Sequence, residues 1–335
     1  MGVVRRVLPS ACLIAACLWA LLAGKYPAST VEFLRALLAG PPSDAAADPL
    51  ATVLWHLRMP RVLGAVLVGA GLAAAGAAYQ AMFRNPLVSP DILGVSAGAG
   101  LGAVLGIYFG LPLGAVQVLA FLGGSAAVAL VYLVSTRVQG YEPTLVLVLA
   151  GVALASLLGA GISLIKVLAD PYSQLPTITF WLLGGLNAVT FQDVAYALPV
   201  LALGLVAMFL LRWRIDLLSL GDEEAVALGV PVARMRMTLV IAATLATAAT
   251  ISFTGIIGWV GLVVPHIARL LVGPAFTRLL PASLLGGGVF LLLADTLART
   301  AASIEIPLGI LTSLVGAPFF LFLLARGRRD GGGRP

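Results

Sequence analysis

The side chains able to do acid–base, nucleophilic or metal chemistry are few. The 335-residue chain holds two histidines and two cysteines. His56 and His266 are 210 residues apart in sequence, by subtraction of their numbers, and neither belongs to a His-Glu-x-x-His pair. Cys12 and Cys17 share one apolar run, where a thiol acts as a small hydrophobe; five residues apart on a helix they point to different faces, so no disulfide is expected. No Gly-rich loop ends in Lys-Ser or Lys-Thr, and neither Lys25 nor Lys166 sits in a phosphate-binding context. The sequence therefore offers no catalytic constellation, no metal site and no bound cofactor.

What remains is chemistry of recognition. Arg58-Met-Pro-Arg61 and Arg299 carry planar guanidinium forks, which suit carboxylates on an incoming partner or anchor helices at a membrane interface. Asp295 stands four residues before Arg299 and can pair with it along one helix face, orienting the arginine or meeting cargo. His266 and Arg269 lie one helical turn apart. Gly221 precedes Asp222, Glu223 and Glu224, acids that suit the first turn of a short helix; Gly229 is placed to end it and Pro231 to prevent its continuation. Ala225 and Leu228, three apart, are expected to form its apolar face. With Arg212, Arg214, Arg234 and Arg236 on its flanks, this segment reads as a docking handle for a soluble partner or as a surface helix at the headgroups.

These groups must be positioned by elements that live in lipid. Hydrophobic residues make up 61% of the chain and charged residues 10%, against about a quarter charged in soluble domains. Apolar runs near 7–24, 62–82, 92–110, 115–135, 145–166, 192–211, 237–253, 256–272, 281–298 and 306–325 approach the ~20 residues a bilayer core requires. The expectation is an all-α bundle of ten transmembrane helices in a single domain over 1–335, ending in a basic, Gly-rich tail over 325–335. A shorter run, 177–186, follows Pro176 and reads as a re-entrant or interfacial helix. The first run is longer than a signal-peptide core and is expected to be retained.

Orientation follows from the cations. With the N-terminus inside, fourteen of the twenty Lys and Arg residues fall on the cytoplasmic side; the other six are Lys25, Arg35, Arg58, Arg61, Lys166 and Arg299. Both termini are expected in the cytoplasm of a multi-pass inner-membrane protein. The net charge of +6 comes from arginines scattered singly, unlike the clustered face of a nucleic-acid binder.

Small residues should carry the helix packing. Gly94, Gly98, Gly102, Gly106 and Gly110 recur every fourth residue and predict a groove along the third span. Between spans two and three, Pro86 forces Asn85 out of the helical region, and Ser89-Pro90-Asp91 has the pattern of an N-cap, a first-turn proline and a dipole-matched acid.

The chain resembles the permease subunits of the ABC importers for iron-siderophores, haem and vitamin B12. The likeness rests on Arg58-Met-Pro-Arg61, the Gln80–Gly98 segment with Asn85-Pro86-Leu87, Leu220-Gly-Asp-Glu-Glu-Ala225, Ile257–Arg269 and Glu305–Phe319, in that order. Trp259 stands where members often carry Phe. The resemblance implies a homodimer with the path between its copies, two cytoplasmic ATPase subunits that hold ATP and Mg, and a periplasmic binding protein. It further implies that Arg58, Arg61 and Arg299 receive acidic groups of the binding protein. The segment Gly221–Gly229 would sit in a cleft of the ATPase, and Phe180, Trp181, Gly184, Gly185 and Leu186 would belong to the outer gate. An iron-siderophore is the first expectation for cargo, with haem, cobalamin and oxyanions as alternatives. A secondary transporter would carry paired intramembrane acids at broken helices, and Asp295 is nearly alone.

Overall fold

The computed structural model describes the backbone of residues 2–24, 26, 29–42, 48–138 and 140–330, and side chains there except at 2–9, 324 and 326–330. Most of the expected tail, 326–335, thus lies outside the described side chains. Among the described residues the fold is helical, without strands. In chain order come α1 (Gly2–Leu22), α2 (Thr30–Ala39), α3 (Pro49–Thr52), α4 (Met59–Met82), α5 (Val95–Tyr108), α6 (Leu113–Arg137) and α7 (Pro143–Leu168). They are followed by α8 (Gln174–Leu183), α9 (Phe191–Leu218), α10 (Asp222–Ala227), α11 (Val232–Thr254), α12 (Val260–Val272), α13 (Phe276–Thr300) and α14 (Leu308–Asp330).

Each of the ten apolar runs falls on one of these helices. Among the described residues, six stretches are long and apolar enough to cross a bilayer by length and composition, and four shorter apolar helices accompany them. The second span begins earlier than the hydropathy suggests: α3, a π-helical turn at Val53–Arg58 and α4 run on as one helix over Pro49–Met82. Pro60 has no N–H to give to the preceding turn. The ladder widens just before it, and Met59 N–H donates to the Leu54 carbonyl five residues back. Helix α2 was not expected, although Ser29 and Glu32 form a complete capping box at its start.

Helix α4 is the centre of the bundle, packed by α13, α11, α12 and α9. Its glycines allow backbone to touch backbone. A methyl placed on Gly69 or on Gly287 would overlap the other's carbonyl oxygen, and one on Gly76 would overlap that of Gly261. Lipid supplies no hydrophobic force between helices, so this close approach carries their association. In the α5 groove, Gly98 and Gly102 meet carbonyls of α6 in the same way, and Gly106 packs closely on Val116. Gly94 and Gly110 do not take part. They lie just outside α5 with φ of 79° and 65°, ending turns rather than lining a face.

The turn between α4 and α5 keeps the expected plan with different bonds. Asn85 leaves the helix and its Oδ1 accepts the Leu87 N–H at 2.9 Å. Pro90 opens a 3-10 turn, Pro90–Leu93, rather than an α-helix. Ser89 precedes it in extended conformation but makes no side-chain cap, and the Asp91 carboxylate instead accepts the Ser96 hydroxyl.

Candidate functional site

Three groups of residues stand out, two of them at opposite ends of α4. That helix has 24 residues, so its ends are ~36 Å apart at ~1.5 Å per residue.

At its N-terminal end the three predicted arginines converge on one recess of about 350 Å³, shared with Asn187 and Glu305. Their hydrogen bonds lie largely within the chain. Arg58 donates Nη1–H to the carbonyls of Leu21 at 2.6 Å and Leu22 at 3.1 Å, and its guanidinium lies 4.6 Å from the Phe33 ring centroid. Arg299 donates to Ala23 at 2.6 Å and to Ala20. Together they satisfy the last carbonyls of α1, which have no partners within the helix. Arg61 takes carboxylates: Nε–H meets both Asp295 oxygens at 2.8 and 3.0 Å, and Nη1–H meets both Glu305 oxygens at 3.1 and 2.9 Å. Asp295 also lies 3.7 Å from Arg299, the expected i, i+4 pair, but Arg61 is its shorter contact. The side chain of Asp295 is 1% exposed and that of Glu305 45%.

The second group is the re-entrant segment. Helix α8 starts at Gln174, two residues before Pro176, because proline is tolerated in a first turn. Asp170 secures the approach by accepting the Ser173 N–H and hydroxyl, both at 2.7 Å, and the Tyr172 N–H at 3.1 Å. These bonds, led by the Ser173 hydroxyl, hold its carboxyl below the usual range. The helix ends at Gly184, with φ of 66°, where a side chain would also collide with the Ile256 carbonyl. Gly185 N–H donates to the Thr254 carbonyl at 2.8 Å, and Leu308 N–H donates to the Gly184 carbonyl at 2.9 Å. The end of α8 is thus held by the break between α11 and α12 on one side and the start of α14 on the other. Phe180 and Trp181 border a recess of about 390 Å³ with Gln117, Asn187, Asp193 and Thr254. Leu186 is buried in the apolar cluster that also holds Val189.

At the far end of α4 lies the short helix α10. Gly221 precedes it with φ of 140°, and Asp222, Glu223 and Glu224 fill its first turn as expected. Gly229 turns the chain out with φ of 81°, and Val230 N–H reaches back to the Ala225 carbonyl at 2.9 Å. The expected apolar face is corrected here. Ala225 is fully buried against the bundle, whereas Leu228, Val226 and Leu220 are exposed. Leu228 caps this six-residue helix and turns outward while Ala225 faces inward, so the outward patch belongs to Leu220, Val226 and Leu228. Asp222 is bound to Arg236 at 2.8 Å and lies 3.7 Å from Arg84, tying α10 to α11 and to the turn after α4.

Other contacts carry no sequence signal of their own. Gln80 on α4 accepts from Arg269 at 3.0 Å and donates to the Leu262 carbonyl at 3.3 Å, while His266 packs edge-on to Phe319. Asp216 accepts the N–H groups of Phe276 and Thr277 and so caps α13 from 60 residues away. Glu305 opened one of the motifs quoted above, yet nothing in its spacing pointed to Arg61.

The profile of the FecCD transport family matches residues 12–326. The chain is 43% identical over 279 residues to the Helicobacter pylori "Probable iron chelatin transport system permease protein", covering 83% of this chain and 84% of that protein. It is 42% identical to the cobalamin import permease BtuC of Halobacterium salinarum, over 89% of this chain and 79% of the relative. Identity to the molybdate import permease MolB of Haemophilus influenzae is 39%, over 83% and 82%. A solved chain described as "An inward-facing conformation of a putative metal-chelate type ABC transporter" superposes with a TM-score of 0.85 at 36% identity, over 95% of this chain and 97% of that one. A ten-run helical bundle, near-complete coverage and a shared fold lead to one assignment: the chain belongs to the FecCD transport family and is an ABC importer permease.

Proposed function

We propose that this permease moves an iron-siderophore, or a metal chelate of similar size, from periplasm to cytoplasm as a homodimer with both termini cytoplasmic. Two copies of a cytoplasmic ABC ATPase, which hold ATP and Mg, drive it, and a periplasmic binding protein delivers the cargo. The observation that carries this reading is the separation of two unlike surfaces by the length of α4. An arginine recess suited to carboxylates lies at one end, and an acid-capped helix with exposed Val226 and Leu228 lies at the other. The first fits an acidic binding protein and the second an ATPase cleft, with the re-entrant α8 as gate between them.

The recess beside α8 bears on cargo. Among its described lining residues are Trp181, Phe180 and Phe253, neutral polar groups and the carboxylate of Asp193, but no Lys or Arg. Such a wall suits a bulky chelate with apolar faces better than a bare oxyanion, which calls for cationic or N–H donors.

The test is ATP-dependent uptake in proteoliposomes containing the permease, its ATPase and its binding protein. A ferric siderophore should accumulate, and haem, cobalamin and molybdate should not. Preference for any of those three would replace the cargo assignment. Uptake driven by an ion gradient without the ATPase would overturn the mechanism.

A further inference from the structure

Arg61 is shared between two carboxylates of unequal standing. Asp295 is buried on α13 and lies within reach of a second arginine, so it is a fixed partner. Glu305 is nearly half exposed and sits at the end of an exposed stretch, 301–305, that links α13 to α14. It engages Arg61 through Nη1, the side of the guanidinium away from the Nε contact with Asp295. An external carboxylate approaching this recess would meet Arg61 where Glu305 already is. Exchanging one carboxylate for another leaves the arginine paired throughout, so the exchange avoids exposing an uncompensated charge.

The position of Glu305 gives such an exchange a consequence. Three residues later Leu308 N–H holds the Gly184 carbonyl at the end of α8, and the backbone of Gly309 packs against the Leu183 carbonyl. A small recess of about 80 Å³ is walled jointly by Arg61, Phe180, Gly184 and the 305–308 segment. The Glu305–Arg61 pair and the grip on α8 therefore belong to one short piece of chain.

We propose that Glu305 is an exchangeable latch: a carboxylate on an acidic loop of a docking protein displaces it from Arg61, and its release frees the 305–308 segment to loosen the end of α8. This rests on the reading that the arginine end receives an acidic partner, and adds that the permease holds its own competitor for that partner. Docking and gate release become one event.

The experiment uses the full chain in nanodiscs with Cys12 and Cys17 changed to Ser and a nitroxide on Ala188→Cys, beside the gate. The probe is a fluorescent soluble peptide carrying three glutamates, with its glutamine counterpart as control. Glu305→Gln should bind the acidic peptide roughly fivefold more tightly than wild type, the factor expected when a partly exposed ion pair no longer competes. Its nitroxide should be more mobile without peptide, and wild type should reach that mobility only when peptide is added. Glu305→Asp, which keeps the charge, should stay near wild type, and Arg61→Gln should lose binding. If Glu305→Gln matches wild type in affinity and spectrum while Arg61→Gln loses binding, the latch is wrong and docking at Arg61 stands. If wild type does not bind the acidic peptide, docking at this end and the latch fall together, while ATP-dependent uptake reports on the permease separately.

Discussion

Arg58, Arg61 and Arg299 show how differently one residue type is used within a few ångströms. Two of them neutralise helix-end carbonyls and the third bridges two acids. Their convergence was legible, since Arg58 and Arg61 start a span and Arg299 ends one on the same side. Their partners were not. Backbone carbonyls of α1 have no sequence signature, and Glu305 is 244 residues from Arg61. Asp295 is the residue on which this end depends, because among the described acids it alone is both buried and within reach of two arginines. Asp295→Asn should cost about 3 kcal/mol, as breaking a buried pair leaves charge uncompensated, read as a fall in melting temperature in detergent. Glu305→Gln should cost less than about 1 kcal/mol, as its pair is half exposed. The exposed Asp170 carries a pH signature. Its carboxyl titrates lower when folded, so its contribution is present above the unfolded pKa and is lost as pH falls through the depressed value. A spin label on Tyr172→Cys should therefore become more mobile only when the pH falls below the ordinary aspartate range, and a Ser173→Ala background should move that transition upward.

Among elements, apolar length was the strongest signal and breaks in helices the weakest. Ten runs gave ten helices because ~20 consecutive apolar residues have one stable form in lipid. The π-turn before Pro60, the early start of α8 and the burial of Ala225 depend on how helices meet, and periodicity does not encode them. Glycine spacing was informative only where a second helix lies opposite. Gly98 and Gly102 press against α6, but Gly94 and Gly110, in the same register, terminate turns. Among the described glycines, a methyl on Gly76 would meet the nearest obstacle, the Gly261 carbonyl where α4 packs on α12. Gly76→Ala should force those backbones apart and cost about 1–3 kcal/mol, the usual range for overpacking. The same change at Gly159, which has open space around it, should be neutral within about 0.5 kcal/mol. Parallel thermal unfolding of the two variants checks the difference.

Across the whole molecule, the two ends of α4 face different partners in the proposed assembly, and each should fail separately. Reversing Glu223 and Glu224 to Lys should abolish recovery of the ATPase with the affinity-purified permease while the permease keeps its melting temperature, since no described ion pair within the chain uses either side chain. Normal complex yield in that variant would place the ATPase contact elsewhere. Membrane residence and the positions of the ten apolar helices could be read from the residues alone, whereas α2, too short to stand out as an apolar run, could not.

The lashing of α1 has a bearing on how the protein is made. Arg299 reaches the carbonyl of Ala20 in the first helix and that of Ala23 just past its end, across 279 and 276 positions of chain. A ribosome therefore releases α1 into the bilayer long before the residue that satisfies it exists. Until α13 emerges, the end of α1 must rely on water and headgroups, with Arg58 as its earliest internal donor. Biogenesis of this face is thus completed from the far end of the chain, and a nascent permease halted before α13 would present an unfinished first helix to quality-control proteases.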